Sequence, residues 1–332
     1  MAVTRYILVF ITLLIASEIF VRLFFMLPSS VMPDKDIGWM YKPNARIFTT
    51  HEGRAVNEMN SLGLNDDEIG AKIRKRLIVL GDSYTEALHV TRENNFTSIL
   101  ESYLQDVDVI NLGRSGLSPI HYPIIVKKYY QTINPDEALL VLTSGDLNDI
   151  LNKKIKILYE GGEVKSIYIK PQTLNPLRIK LDSVFSHSAL TSFLLYRLKQ
   201  LMSTDDIKVE VKGQKLQMIK DKKTEIVNVL KYLLDEIKSY LPVKVVYIPR
   251  LIYLPKKETA ESDISKATAN IIDEVTMSMG IPFLHAGKYL RDAYEINGQP
   301  AVGFSNKSIT SGHLNLEGHK AIANALLPFV EN

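Results

Sequence analysis

Residues 77–86 read Leu77-Ile78-Val79-Leu80-Gly81-Asp82-Ser83-Tyr84-Thr85-Glu86, and they decide the fold. The four apolar residues predict a short strand that is buried on both faces of a sheet. Gly81 ends this strand where a tight turn is needed, so Ser83 falls at the edge where open α/β sheets place their sites. A serine held there beside free backbone N–H groups suits a nucleophile. Taken alone, the tripeptide is more typical of a strand-to-helix turn in which Asp82 or Ser83 caps the helix.

The composition is that of a globular protein, with 332 residues of which 46% are hydrophobic and 23% are charged. The net charge is only +3, and no basic run is interleaved with aromatic residues, so we expect no nucleic-acid partner. The chain has no cysteine, which excludes thiolate catalysis, disulfides and cysteine-ligated metal. His313 and His319 lack the spacing of an HExxH pair. We therefore expect neither a metal nor another cofactor.

The N-terminal segment, residues 6–27, is apolar and long enough to span a bilayer as a helix. Glu18 and Arg22 interrupt it, but they are four residues apart and can pair on one helix face. The alternative is a cleavable signal peptide with its apolar core at residues 6–16. No convincing small-x-small cleavage site follows that core. The sequence therefore predicts an uncleaved membrane anchor over residues 1–27.

The rest of the chain divides into a lead-in, residues 28–75, and one domain, residues 76–332. The lead-in is polar and punctuated by prolines, and we expect it to have little regular structure and to pack on the domain. From residue 76 onward strands and helices alternate, which predicts an α/β domain with a parallel sheet covered on both faces. The predicted strands are 77–80, 107–112, 138–143, 243–248 and 281–284, and the predicted helices are 96–104, 119–132, 225–241, 264–279 and 316–330.

The alternation fails in an insertion, residues 151–223. Ile155–Tyr159 and Val164–Ile169 flank a Gly-Gly pair and predict a β-hairpin. Residues 186–202 predict a helix, and the lysine-rich residues 203–223 predict a loop. Because the insertion follows the third strand, it is either a lid over Ser83 or a surface elaboration.

Three further segments bring polar or flexible residues to the edge of the sheet where Ser83 lies. Residues 109–116 contain two glycines, residues 143–149 supply Asn148, and residues 311–319 supply His313 at the start of the last helix. Each has an ordinary interpretation as a turn, a cap or a surface histidine. Together they offer a nucleophile, oxyanion donors and a base at one sheet edge.

At these four segments the chain resembles the SGNH (GDSL-like) hydrolase superfamily, over about residues 76–330. The matching motifs occur in the family's order and are Gly81-Asp82-Ser83, Asn111-x-Gly113-x-x-Gly116, Asn148-Asp149 and His313-x-Asn315-x-x-Gly318-His319. The lead-in and anchor resemble a bacterial subgroup with an N-terminal membrane segment. The resemblance implies a three-layer α/β/α flavodoxin-like sandwich with about five parallel strands, preceded by a transmembrane helix.

The resemblance also implies site roles. Ser83 is the nucleophile and His313 is its base, whereas the N–H groups of Ser83 and Gly116 and the side chain of Asn148 bind the oxyanion. His319 is expected to be structural. One feature departs from the family, which usually carries an aspartate two or three residues before the histidine. Thr310 and Ser311 stand there, so the sequence predicts a Ser–His dyad, with Asp292 and Glu317 as substitutes outside any motif position.

The implied function is a membrane-anchored serine esterase or O-acyltransferase. Its substrate is an ester-linked acyl group of a cell-envelope glycan or lipid, handled through an acyl-Ser83 intermediate on the extracytoplasmic side. The missing acid motivates an alternative, a catalytically weakened domain that binds a glycan or an assembly partner. A third interpretation, a flavodoxin-like nucleotide or phosphate binder, is disfavoured because neither a P-loop nor a GxGxxG motif follows the first strand.

Overall fold

A computed structural model describes residues 2–24, 30–150, 155–169, 188–191, 193–194, 198 and 210–331. The strands in these residues are β1 (Val31–Asp34), β2 (Gly38–Tyr41), β3 (Arg46–Thr49), β4 (Ala55–Glu58), β5 (Lys75–Leu80), β6 (Val107–Asn111), β7 (Glu137–Thr143), β8 (Ile155–Glu160), β9 (Glu163–Ile169), β10 (Val243–Ile248), β11 (Leu251–Tyr253), β12 (Thr259–Glu261) and β13 (Phe283–His285). The helices are α1 (Ala2–Phe24), α2 (Ser83–Glu86), α3 (Phe96–Tyr103), α4 (Tyr122–Ile133), α5 (Asp146–Ile150), α6 (Glu210–Asp221), α7 (Lys223–Lys238), α8 (Asp263–Ser278), α9 (Gly287–Asn297) and α10 (Leu316–Glu331).

The central sheet of the described residues has five parallel strands in the order β13-β10-β7-β5-β6. This is the flavodoxin-like order, because β5, the first strand of this sheet along the chain, lies between the second, β6, and the third, β7. The predicted α/β class and five-stranded parallel sheet are confirmed. A crevice forms where the order reverses, at the carboxyl ends of β5 and β7, and Ser83 follows β5 directly.

Two hydrophobic cores cover the two faces of the sheet, because alternating side chains of each strand point to opposite faces. Ile78 and Leu80 join one core with α4, α7 and α8. Leu77 and Val79 join the other with α3, α9 and α10. The molecule therefore has three layers. The strand predicted at 281–284 begins two residues later, at Phe283. The preceding residue, Pro282, accepts a hydrogen bond from the N–H of Val245 but has no N–H of its own to donate to the sheet.

The lead-in is more regular than its composition predicts. Strands β1–β2 and β3–β4 form two antiparallel hairpins, so the expectation of little regular structure was wrong. Proline did not prevent this, because Pro33 lies in an edge strand, where a missing N–H is tolerated. The lead-in packs on the domain through buried amides and carboxylates: Asn65 Nδ2 donates to the carbonyl of Glu86 at 2.7 Å, and Asp66 Oδ2 accepts the N–H of Asn111 at 2.8 Å.

The insertion agrees with its prediction in one part and differs in another. The hairpin β8–β9 forms at the predicted place and packs on the core through Ile157, Val164 and Ile167. The loop predicted at residues 203–223 is wrong over Glu210–Asp221, which is helical because lysine, glutamate, glutamine and methionine favour helices despite their polarity. Most of the helix predicted at 186–202 lies outside the described residues.

The N-terminal helix α1 is long and apolar enough to cross a membrane. Its window Val3–Phe24 has a mean hydropathy of 2.3 and is 6% buried. Glu18 and Arg22 form the predicted i,i+4 ion pair at 2.7 Å. Glu18 also accepts hydrogen bonds from the N–H groups of Ala189 and Leu190, at 2.9 Å each.

Candidate active site

Ser83 is the first residue of the short helix α2, directly beyond the β5 turn. Asp82 caps this helix by accepting the N–H of Tyr84 at 2.8 Å. The ordinary interpretation of the tripeptide as a helix cap is therefore also correct, with Asp82 rather than Ser83 as the capping residue. The turn needs glycine at position 81, because a Cβ there would lie 2.0 Å from Thr85 Oγ1. The turn leaves Ser83 half-buried at the sheet edge.

His313 reaches Ser83 from the segment before α10. Its Nε2 lies 2.9 Å from Ser83 Oγ, within hydrogen-bonding distance. The backbone around it is fixed: the His313 carbonyl accepts the N–H of Gly303 at 2.8 Å, and Tyr84 Oη donates to the carbonyl of Gly312 at 2.7 Å. Asn315 caps α10 by accepting the N–H of Gly318 at 3.1 Å. The two residues that sequence motifs nominate as nucleophile and base therefore lie together.

The other ring nitrogen of His313 faces a carboxylate that the sequence did not nominate. Glu52, from the turn between β3 and β4, places Oε2 3.2 Å from His313 Nδ1. Its Oε1 accepts the backbone N–H of the same histidine at 2.6 Å. Nδ1 makes no hydrogen bond among the described residues, so the contact of Oε2 with the ring is an ion pair when the ring is protonated, and the backbone hydrogen bond holds the carboxylate in place.

Glu52 is suited to remain ionised although it is only 1% exposed. Burial alone would raise the pKa of its carboxyl. The hydrogen bond from the His313 N–H and the ion pair with Lys307, whose Nζ lies 3.1 Å from Oε2, outweigh burial and lower the pKa to about 2. The side chain is therefore an anion at neutral pH, next to the ring that would become positive after taking a proton.

The approach of Glu52 depends on two local features. Asn306 clamps its turn with three hydrogen bonds, accepting the N–H of Gly53 at 3.0 Å and donating to the carbonyls of Thr50 at 3.0 Å and Gly53 at 2.8 Å. Gly312 leaves room for the carboxylate, because a Cβ at this position would lie 2.0 Å from Glu52 Oε1. Gly312 also has φ of +114°, in the region that favours glycine.

His89 lies flat against the ring of His313. The ring centroids of His89 and His313 are 3.7 Å apart and the ring planes differ by 14°. Burial lowers the pKa of His89 to about 3, and the charge of His313 adds to the effect. His89 is therefore neutral at physiological pH, and it restricts rotation of the His313 ring without adding a positive charge beside it.

His51, Glu52 and His89 also form the group of described residues whose ligand atoms could converge on a cation, within 4.8 Å of one another. The oxygens of Glu52 are already held by the backbone of His313 and by Lys307. The existing contacts thus use this carboxylate as the partner of a histidine rather than as a free metal ligand.

The glycine motif forms a tightly held loop. Ser115 donates from both N–H and Oγ to Glu86 Oε2, the former at 3.0 Å. Arg114 donates from its backbone N–H to the carbonyl of Gly81 at 3.0 Å and from Nη1 to that of Trp39 at 2.7 Å. Gly116 follows with φ of +80°. Within the described residues the N–H groups of Ser83 and Gly116 have no acceptor, so both remain available to a ligand.

Asn148 is less clearly part of this arrangement. Asn148 lies in α5, and its backbone N–H donates to the carbonyl of Gly145 at 3.1 Å. Its Oδ1 is buried without a partner, and among the described residues its side chain makes no hydrogen bond with Ser83 or His313. Ser144 and Gly145, rather than Asn148, line the cavity beside His313. Its oxyanion role stays a prediction.

Other residues weighed from the sequence lie elsewhere. His319 is fully buried, its Nδ1 accepts the N–H of Phe96 at 3.3 Å, and burial lowers its pKa to about 3. Glu317 pairs with Lys320 on the exposed side of α10 at 3.1 Å, and Asp292 has no contact with His313. Neither carboxylate substitutes for the missing aspartate, whereas Glu52 does so geometrically.

Comparison with known proteins finds no matching family model and no curated relative. Among solved structures, the chain is similar to a member of the lipolytic protein G-D-S-L family from Veillonella parvula, with 13% identity over 78% of this chain and 99% of that one and a TM-score of 0.44. An acetyl xylan esterase, AlAXEase, is also 13% identical, over 77% and 99%, with a TM-score of 0.44. Axe2, an acetylxylan esterase from Geobacillus stearothermophilus, solved as a catalytic mutant, is 12% identical over 79% and 97%, with a TM-score of 0.40. At this distance, function must be inferred from the side chains of the chain itself.

Proposed function

We propose that this protein is a serine esterase of the SGNH type whose reactive group is Ser83. The observation that carries the proposal is the line of contacts from Ser83 Oγ through the ring of His313 to the Glu52 carboxylate, at 2.9 and 3.2 Å. A nucleophile, a base and an anion in this order form the arrangement that activates a serine hydroxyl.

Acylation follows from this geometry. With its proton on Nδ1, facing Glu52, the His313 ring accepts the Ser83 hydroxyl proton at Nε2 as Oγ attacks the acyl carbon of an ester. The bond between that carbon and the alcohol oxygen then breaks, and Nε2 returns the proton to the departing alcohol. Glu52 stabilises the transient imidazolium in a site where both charges are partly removed from water.

Deacylation uses the same groups in reverse. Water attacks the acyl-Ser83 carbon while His313 takes a proton from it, and the bond to Oγ breaks as Ser83 recovers its hydrogen. The carboxylic acid is released. The unoccupied N–H groups of Ser83 and Gly116 supply two donors for the oxyanion in both steps, and Asn148 supplies a third if its amide turns toward them.

The substrate we propose is an ester-linked acyl group of a cell-envelope glycan or lipid. The support is the apolar helix α1, which is long enough to hold the domain at a membrane, on its extracytoplasmic side in this proposal. If a sugar hydroxyl replaces water in deacylation, the same residues perform O-acyl transfer, and no cofactor is needed for either reaction.

A catalytically weakened binding domain was the main alternative, because no aspartate precedes His313. The Glu52 contact supports the esterase over that alternative, because it offers a carboxylate to His313. The nucleotide-binding interpretation has no support from the site, since the loop after β5 is occupied by the Asp82 cap and the Ser83–His313 pair.

A labelling experiment tests the proposal. The full-length chain, purified in detergent, is treated with a fluorophosphonate probe and assayed with 4-nitrophenyl acetate, beside Ser83→Ala and His313→Ala. Ser102→Ala, an exposed serine on α3, is the matched control. We expect labelling and hydrolysis in the wild type and the control and neither in the two site variants. A folded wild type that neither labels nor turns over contradicts the proposal.

A further inference from the structure

A cavity of about 330 Å³ opens beside the Ser83–His313 pair. Its walls include the segments that follow β5, β7 and β10 and the segment before α10, and among the lining residues are Tyr84, Ser144, Arg250, Tyr253, Ser311 and His313. This volume is at the lower end of small-molecule sites, which span about 300–1,000 Å³. It suits one sugar-sized or ring-sized group rather than a long chain.

Arg250 is the one permanently charged residue among those that line this cavity. Its backbone is fixed, because its N–H donates to Ser265 Oγ at 3.0 Å and its carbonyl accepts the N–H of Ser262 at 3.3 Å. Its guanidinium is exposed and, within the described part of the chain, has no carboxylate partner. A cation that lines a cavity and has no carboxylate partner among the described residues offers a place for an anion.

The position of the cavity indicates which part of an ester it would hold. It borders His313, which returns a proton to the departing alcohol oxygen, and Tyr84, the residue after the nucleophile. The alcohol portion must leave next to the histidine that protonates it. The cavity therefore lies on the alcohol side of the scissile bond.

We propose that this cavity binds the alcohol portion of the substrate and that this portion carries an anionic group, a carboxylate or a phosphate, which pairs with Arg250. The inference rests on the proposed esterase function and adds the substrate class to it. A guanidinium presents a planar fork of donors that fits either anion. Ser144, Tyr253 and Ser311 also line the cavity. Tyr253 Oη accepts the N–H of Ala301 and can still donate, and Ser311 Oγ donates to Ser308 Oγ and can still accept, so these hydroxyls suit the hydroxyl groups of a sugar or polyol.

Three acetate esters of similar size test the proposal. 4-Acetoxybenzoate and 4-acetoxyphenyl phosphate release an anionic alcohol, whereas 4-acetoxybenzamide releases a neutral one. The kcat/KM of each is divided by its rate of spontaneous hydrolysis, which removes differences in leaving-group reactivity. We expect the wild type to prefer the anionic esters over the amide by about two- to fivefold, as for an ion pair at an exposed site. Added salt should reduce that preference.

Variants assign the preference to one side chain. Arg250→Gln should abolish it by lowering kcat/KM for the anionic esters alone, and Arg250→Lys should restore part of it. Lys72→Ala is the control, because Lys72 pairs with Asp136 near the opposite end of β5 and should leave the preference unchanged. As a readout without turnover, 4-hydroxybenzoate should bind to the Ser83→Ala protein more tightly than 4-hydroxybenzamide, by the same factor.

The outcomes separate the two proposals. Two results would overturn the anionic alcohol and leave the esterase proposal standing. In the first, the amide ester is hydrolysed in a Ser83-dependent way but the anionic esters are not preferred. In the second, Arg250→Gln keeps the preference for the anionic esters. If no ester is hydrolysed and the fluorophosphonate probe does not label Ser83, the esterase proposal fails and the anionic alcohol fails with it. A difference between the carboxylate and phosphate esters identifies which anion the cavity favours.

Discussion

Replacing Glu52 with glutamine tests the least expected contact of the site. Glutamine is nearly isosteric, and its carbonyl oxygen can still accept the His313 N–H that Glu52 Oε1 accepts at 2.6 Å. The turn between β3 and β4 should therefore keep its place. What disappears is the negative charge 3.2 Å from Nδ1, so the variant isolates the electrostatic role of the carboxylate from its structural role.

The size of the effect follows from that distance. Two unit charges 3.2 Å apart interact by about 5 kcal/mol at an effective dielectric constant of about 20. Lys307 shares the carboxylate, and the His313 side chain is 27% exposed to solvent, so about 3 to 4 kcal/mol should act on the imidazolium. At about 1.4 kcal/mol for each factor of ten, kcat should fall by about 10²- to 10³-fold. This stays below the loss of about 10⁴-fold for the corresponding change in a serine protease.

Steady-state hydrolysis of 4-nitrophenyl acetate between pH 5 and 9 measures the effect. We expect kcat to fall with little change in KM, because the carboxylate acts on the charge that the ring gains in the transition state. The pKa of Glu52 is about 2, so wild-type Glu52 stays ionised over the whole range and the loss should be present at every pH. Asp292→Asn and Glu317→Gln are matched controls that should stay within twofold of the wild type.

The reasoning is refuted by a Glu52→Gln protein that melts like the wild type and keeps kcat within threefold. In that case the backbone carbonyls or hydroxyls near residues 310–312 orient the ring. A loss of activity in Glu52→Gln together with an equal loss in Glu317→Gln would also refute it, because no contact in the structure links Glu317 to His313.

Three other predictions concern the surroundings of the site. Burial raises the pKa of Glu86 to about 7, although the hydrogen bonds from Ser115 oppose the rise. The stability that this group contributes is present below its unfolded pKa of about 4.5 and is lost as the pH rises through about 7, a decline of about 3 kcal/mol in the free energy of unfolding. Glu86→Gln should remove this decline, as measured by urea unfolding at pH 4.5 and 8. His89→Phe keeps a flat ring against His313 and should hold kcat within about threefold, whereas His89→Ala frees the ring and should cost about ten- to 100-fold; equal rates for the two variants would show that stacking is unimportant. Gly312→Ala places a methyl group 2.0 Å from Glu52 Oε1 and should lower kcat as Glu52→Gln does, while Gly70→Ala, which meets nothing within 4 Å, should leave kcat and Tm unchanged.

The sheet was predictable because its signal is local. Runs such as Leu77–Leu80 and 138–142 are apolar at every position, which is typical of strands covered on both faces, and polar turn residues bound them. The same alternation predicted α3, α4, α7, α8 and α10 within about three residues of their observed ends, whereas the shorter helices α5 and α9 were not predicted. The helix Glu210–Asp221 was missed because polarity was given more weight than helix propensity, which its lysines and glutamines favour.

The acid of the site was not predictable from spacing. Glu52 and His313 are 261 residues apart, and the segment His51-Glu52-Gly53 resembles any polar turn. The contact exists only because the β3–β4 hairpin packs against the loop before α10. One signal was present: glycine stands at position 312, directly before the histidine, with no turn motif to explain it, and the structure shows that this glycine makes room for the carboxylate.

The hairpin that carries Glu52 has two strands of four residues each, and a two-stranded hairpin is only marginally stable by itself. The nucleophile and the base, by contrast, lie against the five-stranded sheet and its two cores. The hairpin is held by a small cluster of Tyr41, Met59 and Leu88 and by buried polar contacts such as those of Asn57, whereas the sheet lies between two much larger cores. Regions with fewer buried contacts open at a lower free energy than the core. On heating, the lead-in should therefore detach while the sheet is still intact, and the protein should become inactive several degrees before it loses its circular dichroism. Activity in this molecule would then report the attachment of its amino-terminal segment rather than the integrity of its fold.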